Sequence, residues 1–348
     1  KVNLSSVGAG PIVKIFTNSN TGITAYMSVW AIDNTGKVFA WGANGQYQLG
    51  DGTNTQRNSP VAVGTGAFAG KTIVKISASN GNTSNCSTYT CAQNNDGASV
   101  AALASDGTLY TWGNNTTGQL GLGHNTNPVQ NPTSSSTPAF LNVADVAMRG
   151  GTDYCGGNCG GSMHGWAVIL HTDGTVWTAG DQLGGQLGNG VGGNYGDTTG
   201  ISQQNIFTQP ASLSGVVGSK IYAFEASEAN GCTAGGPNPG VCGGGVSAVI
   251  DTSGRLYVTG ANKSGALGLA NTTDVNTFQQ PTGSFQGKVA KFQLNGQEFA
   301  DGAYDYSYLL TTDGDLYAAG RGARGQVALA NTPTNTTSFT KVLRNTDG

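Results

Sequence analysis

Apolar and polar residues alternate along this chain in short runs, and the runs recur. Leu109-Tyr110-Thr111-Trp112 alternates with a period of two, which places Leu109 and Tyr110 on opposite faces of a strand. Just before it an apolar stretch ends at Leu103-Ala104, and Asp106-Gly107 lies between the two. That order predicts a β-hairpin, with glycine supplying the positive φ that the turn needs. The same hairpin pattern occupies 31–42, 103–113, 170–180, 250–260 and 310–320, turning at Thr35-Gly36, Asp106-Gly107, Asp173-Gly174, Ser253-Gly254 and Asp313-Gly314. A further short apolar strand precedes each hairpin: Ile12 to Phe16, Ile73 to Ile76, Val143 to Met148, Lys220 to Phe224 and Val289 to Phe292. A glycine element follows each one, clearest as Gly118-Gln119-Leu120-Gly121 and Gly185-Gln186-Leu187-Gly188, and weakest as Gly325-Gln326-Val327-Ala328.

The glycines that close the hairpins stand at 42, 113, 180, 260 and 320, so five units of similar length fill the chain. Their boundaries fall near 11–63, 70–141, 142–213, 216–283 and 287–342. Three or four short strands cannot bury both of their faces alone, whereas units stacked radially about an axis can. The expected fold is therefore all-β: a β-propeller of five visible repeats, mostly antiparallel blades, forming a single domain over 1–348 with long disulfide-tied inserts on one face.

Composition narrows the function. The 348 residues include 57 glycines, and only 10% are charged, with a net charge of −3. Charged residues make up about 25% of an average chain. So few basic groups could not neutralise many phosphates, which argues against nucleic-acid binding. No apolar run reaches the roughly 18 residues of a membrane-spanning helix. The glycines keep no period of three, which excludes a collagen helix.

The string from Gly36 through Trp41-Gly42 to Gln48-Leu49-Gly50, and its counterpart from Asp106 through Trp112-Gly113 to Gly118-Gln119-Leu120-Gly121, resemble the repeat of the regulator of chromosome condensation family of β-propellers. The third repeat keeps this pattern except for Ala179 in place of the tryptophan, and the last two keep the hairpin and part of the glycine element. The resemblance implies a propeller. Such propellers usually have seven blades, and five repeats are visible. The founding member is a chromatin-bound nucleotide-exchange factor, and others are secreted β-lactamase inhibitors or surface and virion proteins. Fold alone carries none of these functions over.

Six cysteines form three close pairs, Cys86/Cys91, Cys155/Cys159 and Cys232/Cys242, each between the first apolar strand and the hairpin of its repeat. Six cysteines allow 15 connectivities, but the shared register favours three local disulfides, each worth about 2–3 kcal/mol. Zinc is the rival reading, although each site brings only two thiols and no C-x2-C pair. Disulfides predict an oxidising compartment, hence an extracellular or cell-surface location. The chain begins at Lys1, so a leader removed or not included is also compatible with it.

The stretches 77–98, 149–165, 225–245 and 293–305 share one register and vary in length, which makes them candidate binding loops on a rigid frame. Their candidate contact residues are Tyr89, Tyr154, Asn158, Met163, His164, Glu225, Glu228, Asp301, Tyr304, Asp305 and Tyr306. Aromatic rings supply contact area and amides supply adaptable hydrogen bonds. Asp313 reads as a turn residue and Asp315 as a solvated strand residue, and His124 and His171 read as structural. No catalytic, phosphate-binding or metal motif is present, so neither cofactor nor metal is expected.

These features lead to a non-enzymatic binding or structural propeller, most concretely a bacterial adhesin or appendage head domain. Its partner would be a protein or glycan on a cell surface, with self-assembly a further option. The alternatives are a phage receptor-binding protein, a secreted enzyme inhibitor, and a polysaccharide-acting enzyme using carboxylates such as Asp301 and Glu225.

Overall fold

The structure, a computed structural model, describes residues 4, 7–18, 27–80, 98–152, 163–192, 203–226, 244–296, 298–299, 302–303, 305–329 and 335–342. Each repeat forms one four-stranded antiparallel meander, and these five sheets are the blades of a β-propeller fold. Blade 1 comprises β1 (Ile12–Thr17), β2 (Ser28–Asp33), β3 (Val38–Gly42) and β4 (Arg57–Ala62). Blade 2 comprises β5 (Ile73–Ala78), β6 (Ser99–Ala104), β7 (Leu109–Gly113) and β8 (Val129–Thr133). Blade 3 comprises β9 (Val143–Thr152), β10 (Met163–His171), β11 (Val176–Gly180) and β12 (Gln204–Thr208). Blade 4 comprises β13 (Gly218–Ala226), β14 (Gly244–Asp251), β15 (Leu256–Gly260) and β16 (Val275–Gln279). Blade 5 starts with β17 (Val289–Asn295), carries a two-residue ladder of β18 (Glu298–Phe299) and β19 (Gly302–Ala303), and continues with β20 (Tyr306–Thr311), β21 (Leu316–Arg321) and β22 (Asn335–Lys341).

The apolar runs read from the sequence are the first strands, and the hairpins are the second and third strands. The glycine elements are tight turns between the third and fourth strands. In blade 2, Gly118 N–H donates to Asn115 O at 3.1 Å and Gly121 N–H donates to Gly118 O at 3.0 Å. The motif asparagine locks this turn. Asn115 Oδ1 accepts from Leu120 N–H at 3.2 Å, and its amide nitrogen donates to His124 O at 2.9 Å and Thr126 O at 3.3 Å. Asn44 and Asn262 make the equivalent bonds in blades 1 and 4.

The chain packs as two compact units. The first is Lys1–Thr172 with Trp177–Asp181 and Gln203–Thr208; the second is Asp173–Val176 with Gln182–Ser202 and Gln209–Gly348. In the first unit, Trp30, Ile32, Val38 and Leu49 of blade 1 form one buried cluster with Ile73, Ile76, Val100 and Trp112 of blade 2. The other face of blade 2 presents Leu103, Leu109 and Leu120 to Val143, Val146 and Ile169 of blade 3. In the second unit, Ile250, Leu256, Val258 and Leu267 join Val289, Phe292, Leu309 and Phe339. Each such side chain contributes about 1.5–3 kcal/mol by leaving water.

Backbone bonds staple neighbouring blades at both ends. At the hairpin-turn end, Ile73 N–H donates to Gly36 O at 3.1 Å and Val143 N–H to Gly107 O at 2.9 Å; in the second unit, Val289 N–H donates to Gly254 O at 2.9 Å. At the other end, the residue two places after a glycine turn donates to a fourth strand. Gly123 N–H bonds Asn205 O at 2.8 Å, and in the second unit Ala270 N–H bonds Thr337 O at 2.8 Å.

Candidate functional site

Each insert joins the first strand of a blade to the antiparallel second strand. Topology alone therefore sends every insert out at one end of its blade. The third strand finishes there too, since Ser28 pairs with Gly42, Ser99 with Gly113, Val246 with Gly260 and Tyr306 with Gly320. A backbone clasp repeats at this end. In the first unit, Ala43, Asn114 and Asp181 N–H donate to Met27, Ala98 and Gly165 O at 3.0, 3.2 and 2.8 Å. In the second unit, Ala261 and Arg321 N–H donate to Gly245 and Asp305 O at 3.0 and 2.9 Å. The closing glycine is required by this clasp: Gly113 has φ +90°, and a methyl group there would lie 2.3 Å from Ala98 O.

At the end of blade 2 where its insert departs, the described residues form a buried polar floor. Gln119 Nε2 donates to Ser99 Oγ at 2.9 Å and Asn114 Oδ1 at 3.0 Å, while its Oε1 accepts from Thr117 N–H at 3.0 Å. Ser99 Oγ donates to Asn114 O at 2.8 Å. A network satisfied in this way rigidifies the base from which the insert emerges. Blade 1 has a poorer floor. Ser28 Oγ still donates to Ala43 O at 2.8 Å, but Gln48 Nε2 is buried without a partner among the described residues. The cause is legible: where blade 2 has Asn114 to accept that amide, blade 1 has Ala43.

In the second unit, blades 4 and 5 bring together two of the candidate residues. Glu225 pairs with Gly245 in the ladder, and Asp305 is buried. A methyl group on Gly296 would lie 2.6 Å from both Asp305 Oδ1 and Glu225 O, so the three segments meet closely there. Tyr306 Oη accepts from Asn295 Nδ2 at 2.9 Å, and its ring lies edge to face with Tyr308 at 6.1 Å. The Tyr308 hydroxyl donates to Gln326 O. Burial, with a smaller contribution from Tyr306, raises the Tyr308 pKa.

The other candidates divide plainly. His164 lies on β10 opposite Gly151, and Met163 opposite Thr152. Tyr89, Tyr154, Asn158, Glu228, Asp301 and Tyr304 lie outside the described residues, as do Cys86, Cys91, Cys155, Cys159, Cys232 and Cys242. The disulfide-tied form of the inserts therefore has no structural support here. Asp313 and Asp315 pair with Lys288 and Lys341, each at 2.7 Å. Asp305 and Asp313 flank opposite ends of β20, about 20 Å apart at the strand rise. His171 stacks on Trp177 at 5.3 Å, and its Nε2 lies 3.3 Å from Ala139 O. The floor formed by Gln119, Ser99 and Thr117 was not a candidate; its one sequence signal is the glutamine of the glycine element.

A family model, the regulator of chromosome condensation (RCC1) repeat, matches residues 35–84 and 106–151. Both matches begin at a hairpin turn and run through the motif described above into the first strand of the next blade. These two stretches of the chain are RCC1 repeats by sequence. Among curated proteins it is 30% identical over 159 residues to the "Probable E3 ubiquitin-protein ligase HERC6" of Homo sapiens, covering 45% of this chain and 12% of that one. Among solved structures, Prp20p from Saccharomyces cerevisiae, described with its binding to Gsp1p and histones, superposes with a TM-score of 0.58 at 18% identity, over 96% of this chain and 65% of that one. Yeast RCC1 (Prp20) bound to Kap60 superposes with a TM-score of 0.57 at 18% identity, over 96% of this chain and 64% of that one. At such identity the structures show the shared fold.

These comparisons correct the functional expectation. The curated match is to a probable human E3 ubiquitin-protein ligase, and the yeast structures that share the fold are described with Gsp1p, histones and Kap60. Ubiquitin transfer and histone binding belong inside cells. The bacterial adhesin or appendage head, the phage protein and the other secreted readings are therefore overturned. So are the extracellular location, the pilus and carbohydrate-binding assignments, and the cell-surface glycan partner. The error has a physical origin: close cysteine pairs bear on compartment only if the thiols are oxidised.

Proposed function

We propose that the chain is a protein-recognition propeller: a rigid RCC1-type frame that offers its first-to-second-strand inserts to a protein partner. The observation that carries this reading is the clasped end of each described blade from which its insert departs, braced in blade 2 by a hydrogen-bonded floor that holds the strand ends fixed while insert sequence varies. The partners named for Prp20p supply the first probes, a Gsp1-type GTPase and core histones. Catalysis is no part of the reading. The ligase activity in the name HERC6 belongs to a protein of which this chain matches 12%.

Biolayer interferometry of the full chain against both probes tests it. Binding should occur with one of them and fall at least tenfold, about 1.4 kcal/mol, when inserts 81–97 and 227–243 are replaced by short Gly-Ser loops. Binding that survives both replacements would place recognition elsewhere and sink the proposal.

A further inference from the structure

Neighbouring blades repeat one aromatic contact along their seams, and the seam between blades 2 and 3 departs from it. The second residue of the third strand is aromatic in each case: Tyr110 in blade 2, Trp177 in blade 3 and Tyr317 in blade 5. In the seam between blades 1 and 2, Phe68 of the linker stands edge to face over Tyr110 at 5.1 Å. In the second unit, Phe285 of the linker between blades 4 and 5 does the same over Tyr317 at 5.4 Å and Phe339 at 5.3 Å. In the linker between blades 2 and 3, Phe140 is fully buried and packs on Phe207, the counterpart of Phe339, at 5.7 Å. This linker is shorter: Phe140 stands three residues before Val143, where Phe285 stands four before Val289 and Phe68 five before Ile73. Beside Phe207, Trp177 lines an open pocket of about 190 Å³.

The pocket lies wholly within the first unit, and no insert residue lines it. Leu122, Pro138, Ala139, Trp177, Ile206 and Phe207 form most of its wall. That wall is braced from behind. Trp177 stacks on His171, whose Nε2 lies 3.3 Å from Ala139 O, and Phe207 rests on Phe140. The lip is apolar where the equivalent lips are polar. Leu122 bridges to Ile206, as Leu269 bridges to Ser338 in the second unit. A methyl group on Gly123 would face Ile206, as one on Gly52 would face Asn131. Ile206 is 50% exposed.

We propose that this pocket is an anchor site for one aromatic side chain of a protein partner, phenylalanine above all. Its size fits one ring: pockets for drug-sized ligands run to about 300–1,000 Å³. The chemistry of the occupant follows from the chain's own seams. Tyr110 and Tyr317 are covered by phenylalanines of the chain, Phe68 and Phe285, and at Trp177 the partner supplies the ring. Aromatic anchors seated in well-packed pockets carry much of the energy of protein interfaces. A wall already braced by His171 and Phe140 loses little freedom when the pocket fills. The site is separate from the inserts and stands whether or not they bind.

Saturation-transfer difference NMR on the full chain tests this, with N-acetyl-phenylalanine amide titrated through about 1–10 mM, the range for one anchored side chain. The phenylalanine amide should bind, about threefold or more tighter than N-acetyl-leucine amide, because an edge-to-face ring contact adds to burial. Ile206→Lys, which sets a charge at the lip, should weaken binding about tenfold. Ile206→Ser, the residue of the equivalent lip in the second unit, should weaken it less. Circular dichroism melts establish that both variants are folded; position 206 is on an edge strand and half exposed, so the milder one keeps the test open if the other unfolds. Failure of the phenylalanine amide to bind, equal binding of the leucine amide, or binding that neither variant weakens would each overturn the proposal. So would binding of toluene without binding of the phenylalanine amide, which would make the pocket a small-molecule cavity.

Discussion

Blades 2 and 5 are written in the same repeat and live under different constraints. Leu109 of blade 2 and Leu316 of blade 5 occupy the same hairpin position, yet one is fully buried against blade 3 and the other is more than a third exposed. Asn115 locks the blade 2 turn through its amide, whereas blade 5 has Gly322 at that place. A repeat thus specifies a blade, but neighbours decide what each residue in it contributes. The sharpest way to break this comparison is to truncate both leucines. Leu109→Ala should cost about 3–5 kcal/mol through lost burial and a residual cavity, and Leu316→Ala less than about 1 kcal/mol in dilute solution. Urea unfolding at low protein concentration measures both. Equal costs would mean that the blade 5 face is covered.

The glycine turns make the same comparison through the backbone. Gly118 and Gly325 both have positive φ, +75° and +79°, so alanine at either carries the left-handed cost of about 1–2 kcal/mol. Only at Gly118 would the methyl group also press on Asn205, adding about 1–3 kcal/mol of overpacking. Gly118→Ala should therefore lower stability by roughly twice as much as Gly325→Ala. A similar loss at both positions would show that conformation alone fixes these glycines.

Much of this was legible in the chain. Asp106-Gly107 and the alternation of Leu109 to Trp112 announce a hairpin because turn chemistry and period are local. The fourth strands were not legible. β4 reads Arg-Asn-Ser-Pro-Val-Ala and β8 reads Val-Gln-Asn-Pro-Thr, without clean alternation and with a proline in each. Such strands belong at sheet edges, where proline is tolerated, and only pairing to a finished third strand defines them. The floor was half legible: Gln119 stands out as repeat signature, but its bonds to Ser99 and Asn114 bridge separate strands and need the folded blade. Of the insert candidates, Glu225 and Asp305 converge on Gly296 because two different blades meet there, a relation that no spacing encodes.

Blades 1 and 2 differ at that floor in two side chains, Ala43 for Asn114 and Gln46 for Thr117, and the first difference can be tested by repair. Gln119 Nε2 reaches Asn114 Oδ1 at 3.0 Å, whereas blade 1 has Ala43 at that place and Gln48 Nε2 has no partner among the described residues. Ala43→Asn should supply the missing acceptor and raise stability by about 1 kcal/mol, read as a higher urea midpoint with an unchanged slope. No gain would mean that Gln48 is already satisfied by other means.

The smallest effect separates two acids whose pKa values are both lowered. Around Asp33, burial acts to raise the pKa, but bonds from the Thr35 hydroxyl and from the Gly10, Lys37 and Thr35 N–H groups outweigh it and hold the carboxyl below its usual range. Asp106, at an exposed turn, is held at about 2, chiefly by its 2.6 Å bond from Lys71 and then by Thr108. Between about pH 4 and pH 2 the unfolded chain takes up protons that these folded carboxylates refuse, so stability must fall as pH falls through that window. Asp106→Asn should flatten part of that slope. The two acids should also differ in salt. An exposed ion pair is screened on the scale of about 10 Å at 0.1 M, while bonds from backbone N–H groups are not. Added salt should therefore shrink the Asp106 contribution and leave the Asp33 contribution in place, as urea midpoints of Asp106→Asn and Asp33→Asn across that pH window would show. If salt erased both contributions equally, the turn of blade 1 would be held by charge in the same way as the turn of blade 2.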